Sequence, residues 1–548
     1  HFNDDFWAPR LEQHRTRTLP YTMEQCQSTG RVKNFAIAAG EEQGSFCTAY
    51  PFDDSDLYKI IEGASYSLQV HPDPVLEQKI DDWIAIIGAA QESDGYLYTT
   101  RTIDPEHPHA WAGAHRWDKT EDLSHELYNA GHLFEAAAAH YLATGKKTLL
   151  NIAIRFADLI DREFGWGKIE KYPGHQVIEI GLAKLYRITG EKRYLDLAKF
   201  FLDVRGPNQG EYSQAHLKVI DQTEAVGHAV RAAYMYSGMA DIAALTGNQD
   251  YIHAIDKIWE DVVSKKLYIT GGIGATGAWE GFGPPYALPN FSAYCETCAS
   301  IANVFWNYRL FLLHGESKYI DVLERTLYNA ANSGMSLEGD RFFYANPLEA
   351  RKNQARSPWF SCACCPSNVA RFFPSIPGYQ YAVQGDQIYV NLFVGGKASI
   401  RTTAGELEMI QETRYPWDGQ VDIRVNPRSS SQFTVKIRIP GWARGEVVPS
   451  DLYTFASGNT NPVPVTINGQ PQAYQVDHGY AVITRRWESG DHISINFPMQ
   501  PRFVRAHPNL KDDEGKVAIQ RGPLVYCLEG QDQPDEHVIN TMVFENAK

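Results

Sequence analysis

Two adjacent cysteines, Cys364 and Cys365, stand in the segment SCACCPSNVARFF, and an earlier segment, YCETCAS, offers Glu296 and Cys298. Three thiols and one carboxylate make up the ligand set of a four-coordinate zinc site. Packing seldom demands neighbouring thiols, since a buried cysteine acts only as a small apolar filler. Pro366 follows the pair directly, and Ser367 to Phe373 reads as the start of a helix. Proline favours the first helical position, which places Cys364 and Cys365 at a helix N-terminus. A thiol there shifts toward the thiolate, the form that binds metal and attacks electrophiles. Glu296 and Cys298 are two residues apart, and in an extended segment such residues point to one side. They precede a second helical stretch, ASIANVFWNYRLFLL. Two helix N-termini aimed at one point favour anionic ligands. The bland readings are a buried cysteine cluster or a structural zinc knot; the single carboxylate tilts the balance toward chemistry.

Three histidines each begin an expected helix: His125 in HELYNAGH, His175 in YPGHQVIEIG and His228 in EAVGHAVR. One alone reads as a capping histidine. Three at corresponding helix starts of a ring would face one mouth and share a polar pocket. The run Gly272-Ile273-Gly274-Ala275-Thr276-Gly277 matches a dinucleotide fingerprint, but Pro284-Pro285 soon after forbids the helix that must hold the pyrophosphate. A flexible glycine-rich loop presenting Trp279 and Glu280 fits better.

The elements that carry these residues repeat. Gly145, Gly190, Gly247 and Gly315 each close an apolar-periodic helix in Thr-Gly or His-Gly turns, and a second helix follows every time. A residue free to take positive φ caps the first helix of each pair. Helix pairs at such spacing predict a closed ring, an (α/α)6 toroid, ahead of an open solenoid. The intervals widen along the chain, and the inserted loops are where a site would be built. Near residue 375 the texture changes to short alternating runs such as QIYVNLFV, QFTVKIRI and HISINFP, with turn signals at Asp418-Gly419 and Asn468-Gly469. The expectation is therefore an α+β multidomain chain: a helical barrel over 1–375 and an antiparallel β-sandwich region over 376–548. VFENAK offers no closing strand, so the sandwich is expected to be incomplete or split into two small domains.

Bulk properties limit the partners. The 548 residues carry a formal charge of −15, which repels phosphate backbones and excludes nucleic acid. No apolar run reaches the ~18 residues needed to span a bilayer. The first residues, HFNDDFWAPR, lack a basic start and an apolar stretch, so they are not a signal peptide; without an initiator Met, a leader removed or never included stays open. Five of the eight cysteines crowd into two short segments, which is no disulfide framework for a chain of this size. Reduced or metal-protected thiols suit the cytoplasm or the periplasm of a soluble bacterial protein. Self-association as a homodimer stays open.

The segments ITGGIGATGAWEGFG, LPNFSAYCETCAS, ERTLYNA and CCPSNVAR resemble glycoside hydrolase family 127, the bacterial β-L-arabinofuranosidase family. The likeness runs from FNDDFW through DGYLYT and HELYNAGH to RGPLVYCLEG, nearly the whole chain. It implies a retaining exo-glycosidase with an (α/α)6 barrel followed by β-sandwich domains, acting on an oligosaccharide. By that resemblance Glu296, Cys298, Cys364 and Cys365 bind Zn2+, Cys364 is also the nucleophile and Glu280 the general acid/base. His125, His175, His228, Glu324 and Tyr344 match positions lining the sugar pocket. The family often reads CCPPN where this chain has Ser367, which bears on subfamily and so on the sugar; members also usually continue past residue 548. Relatives that take rare pectin sugars of the aceric acid type make that the alternative substrate. Apolar neighbours such as Trp279 and Phe282 are expected to raise the carboxyl pKa of Glu280 and keep it protonated. The rival from another class is a carbohydrate-binding protein with a structural zinc, which would have no use for an acid at position 280.

Overall fold

Six helices that bury nearly every face lie at the centre of the helical domain: α1 (Asp54–Val70), α2 (Glu126–Thr144), α3 (Ile178–Thr189), α4 (Ala229–Thr246), α5 (Thr297–His314) and α6 (Cys364–Phe372). In the computed structural model, which describes residues 1–350, 354–458, 462–533, 538–539 and 541–543, each packs on the next and α6 packs back on α1, closing a ring. Their composition explains their place. In α2 every residue from Glu126 to His140 is buried, with alanine and glycine where neighbours come closest. A Cβ on Gly63 of α1 would run into the backbone carbonyl of Ala370 on α6, so glycine is what lets the ring close there. The helices Pro74–Ala90, Thr148–Glu163, Lys192–Asp203, Gln249–Asp261 and Ser317–Thr326 each follow an inner helix and pack on its outer side. The Thr-Gly and His-Gly turns end α2, α3, α4 and α5 as expected, with Gly145, Gly190, Gly247 and Gly315 at φ of 75, 75, 69 and 70°.

The ring's interior is filled by a buried ionic cluster. The guanidinium of Arg371 on α6 donates to Glu62 of α1 at 3.0 Å, to Glu135 of α2 at 2.5 Å and to Tyr234 Oη of α4 at 2.6 Å. Lys184 of α3 reaches the same two carboxylates at 3.4 and 3.5 Å. A charge this deeply buried is tolerated only when paired.

Beyond Tyr379 the chain turns to β-structure. One sheet of five strands runs in the order Tyr381–Gln384, Gln387–Val390, Ser431–Arg438, Tyr480–Trp487, Gln475–Asp477; one of six runs Gly396–Thr402, Gly405–Thr413, Gln420–Pro427, Asp491–Asn496, Val465–Ile467, Gln470–Pro471. All these pairings are antiparallel save that of Gln387–Val390 with Ser431–Arg438. Alternate residues such as Val421, Ile423 and Val425, or Phe433, Val435 and Ile437, face the core. A third sheet of four strands, Leu524–Tyr526, Ala518–Arg521, Arg502–Ala506 and Tyr453–Phe455, follows. Phe544 to Lys548, where no closing strand was expected, lie outside the described residues. No described helix is long and apolar enough to cross a membrane.

One expected pocket residue belongs to this scaffold instead. Glu324 sits at the end of Ser317–Thr326 and is 1% exposed. Its carboxylate accepts from Arg438 Nη2 at 2.5 Å, Tyr415 Oη at 2.8 Å and Trp442 Nε1 at 3.3 Å, all from the β-region. With its oxygens committed there, Glu324 joins the helical domain to the sheets and does not line the sugar pocket. Removing one partner of a buried ion pair typically costs about 3–5 kcal/mol. Glu324→Ala should therefore destabilise the protein by that order and lower the midpoint of thermal or urea unfolding; an unchanged midpoint would show that the carboxylate does not hold the domains together.

Candidate active site

The N-terminal ends of the inner helices converge. His228 caps α4, its Nδ1 accepting from the backbone N–H of Val230 at 3.2 Å and of Arg231 at 3.5 Å. His125 stands at the N-cap of α2, His175 just ahead of α3, and Glu296 at the N-cap of α5. Helix α6 begins at Cys364, two residues earlier than Pro366 suggests, so both cysteines lie in its first turn. His125 at φ 57° and Glu280 at φ 49° occupy the left-handed region, which costs a non-glycine residue energy.

The thiols meet Glu296. Cys298 and Cys365 approach to 3.2 Å between sulfurs and Cys364 and Cys365 to 3.9 Å, while Glu296 Oε1 lies 3.6 Å from Cys364 Sγ and 3.5 Å from Cys365 Sγ. All four ligand atoms fall within 4.8 Å of one another. Cys298, Cys365 and Glu296 are buried, and Cys364 alone is half-buried. Burial, with the Cys364 and Glu280 charges behind it, pushes the Glu296 carboxyl well up, and burial does the same to Cys365. Cys298 resists its burial and comes down to about 7, because hydrogen bonds from Cys364 and Cys365 favour its thiolate. Glu296 Oε2 has no hydrogen-bond partner although it is enclosed. Four potentially anionic ligands and an orphaned carboxylate oxygen, with no cation of the chain among them, fit a metal ion.

Across the pocket Glu280 accepts from two donors. Nδ1 of His228 is occupied as an acceptor, so Nε2 carries the proton and donates to Glu280 Oε2 at 2.9 Å; Tyr294 Oη donates to Oε1 at 2.8 Å. The expected rise of this carboxyl's pKa is overturned. Burial does raise it, but the hydrogen bonds from His228 and Tyr294 and the charge of Arg231 outweigh burial and hold it below its ordinary value. The loop itself is fastened rather than flexible. Thr276 and Gly281 exchange two 3.0 Å hydrogen bonds, the Ala229 N–H donates to the Glu280 carbonyl at 3.1 Å and the Phe282 N–H to that of Gly227 at 2.9 Å. His228, Glu280 and Glu296 offer ligand atoms within 4.8 Å of one another, so Glu296 belongs to this group and to the thiol cluster alike.

The histidines line the remaining wall. The rings of His125 and His175 are 5.5 Å apart and those of His175 and His228 5.7 Å. Burial first, then the charge of Arg231 for His125 and His175, keeps their pKa values low, so they are neutral and each ring offers one donor and one acceptor. Tyr344 Oη lies 3.0 Å from Cys364 Sγ. Of the expected residues, the structure gathers Glu280, Glu296, Cys298, Cys364, Cys365, Tyr344 and the three histidines; Glu324 stays outside. Tyr294, Cys362 and Tyr128 were missed. Tyr294 stands two residues before Glu296, but α5 already begins at Thr297, so Cys298 lies in a helical turn and not in the expected extended segment, and strand-like alternation does not bring the three together. Cys362 Sγ lies 3.8 Å from Tyr344 Oη, and Tyr128 packs 4.4 Å from His175 and accepts from the buried Lys59 at 2.7 Å. Ser367 donates to Asp56 Oδ1 of α1 at 2.8 Å, so the hydroxyl in place of a second proline ties the cysteine-bearing turn to a carboxylate held by Arg31 at 2.6 Å.

Comparison with known proteins identifies the chain on this framework as a glycoside hydrolase. The family model for the β-L-arabinofuranosidase GH127 catalytic domain matches residues 1–378, that for the GH127 middle domain 387–499 and that for the family 127 C-terminal domain 501–548. The chain belongs to glycoside hydrolase family 127. It is 36% identical over 546 residues, 92% of its length and 79% of the relative's, to a non-reducing end β-L-arabinofuranosidase of Bifidobacterium longum subsp. longum. A solved GH127 β-arabinofuranosidase is 54% identical with a TM-score of 0.94, covering 97% of this chain and 84% of that one. A GH127 β-L-arabinofuranosidase from Geobacillus stearothermophilus T6 is 40% identical with a TM-score of 0.90, covering 97% and 86%.

The two donors on Glu280 generate a pH prediction. Removing a hydrogen bond to the ionised form raises a carboxyl's pKa, so in Tyr294→Phe the protonated form persists to higher pH. The alkaline limb of the kcat/KM profile, where an essential acid is lost, should move upward relative to the unmodified enzyme. A limb that stays in place or moves downward would show that Tyr294 does not set the titration of Glu280.

Proposed function

We propose that the protein is a retaining exo-glycosidase that releases a terminal β-L-arabinofuranosyl residue from plant cell-wall glycans, pectin side chains among them, with Cys364 as nucleophile, Glu280 as acid/base and a zinc ion, on an (α/α)6 toroid. The observation that carries this reading is the double membership of Glu296, which brings the acid and the thiols to one pocket. The names of the relatives support the sugar, and the closed ring of inner helices supports the toroid. Three thiols and a carboxylate are soft enough a set to favour zinc, and Glu296, Cys298, Cys364 and Cys365 would hold it. Bound there, zinc supplies the positive charge that keeps the Cys364 thiol ionised at neutral pH.

The choice between the adjacent cysteines follows from exposure. Cys365 is enclosed, while Cys364 is half-buried and lies against Tyr344 Oη. In the first step Cys364 Sγ attacks the anomeric carbon as Glu280 passes a proton to the leaving oxygen, and a carbon–sulfur bond replaces the carbon–oxygen bond. In the second step Glu280, now a carboxylate, takes a proton from water, and the water oxygen displaces the sulfur from the opposite face. Two inversions give net retention. Tyr344 Oη steers the sulfur and steadies it on departure, the neutral His125 and His175 hold sugar hydroxyls, and His228 holds Glu280. The hydrogen bonds that favour the Glu280 carboxylate suit the second step and confine the first to the acid side of its titration.

A furanosyl electrophile or epoxide analogue should label the protein once, and peptide mapping should place the adduct on Cys364. An adduct on Glu280 or Glu296 would make a carboxylate the nucleophile and the thiols a supporting structure. Elemental analysis after dialysis should find about one zinc per chain, falling sharply in Cys298→Ser. Full occupancy in a Glu296→Ala/Cys298→Ser double variant would end the proposed ligand set.

A further inference from the structure

The residue before the acid is a tryptophan that the fold leaves in water. Trp279 is 62% exposed, on a turn whose backbone is fastened. It sits in the four-residue turn between Thr276 and Gly281, whose ends are bonded to each other and to the start of α4. The left-handed backbone of Glu280 lets two consecutive side chains part company, the carboxylate toward the pocket and the indole toward the rim. Tyr212 stands beside it, the two rings 5.7 Å apart at 56°. Tyr212 is held in turn: the Arg231 guanidinium lies 4.4 Å over its ring and donates to its Oη at 3.3 Å, and the His228 N–H donates to its carbonyl at 3.1 Å. Its ring lies 5.7 Å from that of His228, the partner of Glu280. A single exposed aromatic is ordinary. An exposed indole on the acid's own turn, set beside a half-buried phenol ring that is anchored to His228 and Arg231, is not explained by packing.

The chemistry of the acid says what they face. Glu280 must deliver its proton to the leaving oxygen, so the part of the substrate beyond the scissile bond lies on its side of the mouth. The other aromatic group at the rim, Tyr50, Phe52 and Trp111, packs within itself and stacks Phe52 on His125 at 4.6 Å, on the wall of the cleaved sugar. We propose that Trp279 and Tyr212 form the subsite for the leaving-group sugar, with the indole stacked on the C–H face of a sugar ring and the ring's hydroxyls left in water. This rests on the reading of Glu280 as acid/base. The fastened turn and the neighbouring Tyr212 ring keep the indole near the mouth before binding, which lowers the entropic cost of stacking.

The test compares two substrates of the zinc-loaded enzyme: a disaccharide with a terminal β-L-arabinofuranosyl unit, and the methyl β-L-arabinofuranoside, whose leaving group is too small to stack. In Trp279→Ala the ratio of kcat/KM for the disaccharide to that for the methyl glycoside should fall about three- to tenfold, the range of an aromatic stacking contact. Trp279→Phe should recover most of the ratio. If Trp279 only braces the loop, both substrates lose in proportion and the ratio holds, which overturns the inference. If the unmodified enzyme cleaves both substrates and the ratio is unmoved in the variant, this subsite alone falls. If the unmodified enzyme cleaves neither, the reading of the site falls and the subsite with it.

Discussion

One guanidinium governs how the ring can close. Arg371 is fully buried and answers to carboxylates on α1 and α2 and a phenol on α4, with Lys184 of α3 completing the neutralisation. Left unpaired, such a charge would be strongly destabilising, so α6 has a single acceptable register against its neighbours. Cys364 lies about two helical turns before Arg371 on the same helix. The placement of the thiols is therefore set by an ion pair at the far end of α6 as much as by the thiols themselves. Gly63 permits the approach, and Arg371 decides where it stops.

A second constraint acts at the opposite end. Helix starts from around the ring each contribute one side chain, and the partial positive charge of an N-terminus favours anionic ligands. This accounts for thiols and a carboxylate gathered where burial alone would forbid them. It also explains why the histidines stay neutral, since burial and Arg231 both oppose a proton there. The pocket is thus split by charge: anionic ligands on one wall, uncharged hydrogen-bonding rings on the other, and Glu280 between.

What could be read in advance was whatever is local. The glycine turns mark the ends of four inner helices by a rule that needs one residue, and the thiols declare themselves by adjacency. Tyr294 stands two residues before Glu296, yet a tyrosine carries no metal-ligand signature and passes unnoticed. Glu324 was misplaced because its partners, Arg438, Tyr415 and Trp442, lie in a different domain and nothing in ERTLYN names them. The titration of Glu280 was misjudged for the same reason. Its apolar neighbours in sequence are not its neighbours in space: Trp279 turns away, while His228 and Tyr294 arrive from other segments.

The filled interior of the ring has a bearing on traffic. With the buried Arg371, Glu62 and Glu135 occupying the centre of the ring, the half-exposed Glu280 and Cys364 mark the way into the site at the rim where the inner helices begin. In the proposed pair of displacements, the departing sugar and the incoming water would both pass that rim. Any hydroxyl-bearing molecule lingering at the threshold stands first in the queue ahead of water. How often the bound sugar is handed to such a bystander becomes a property of the doorway, separate from the chemistry at the sulfur.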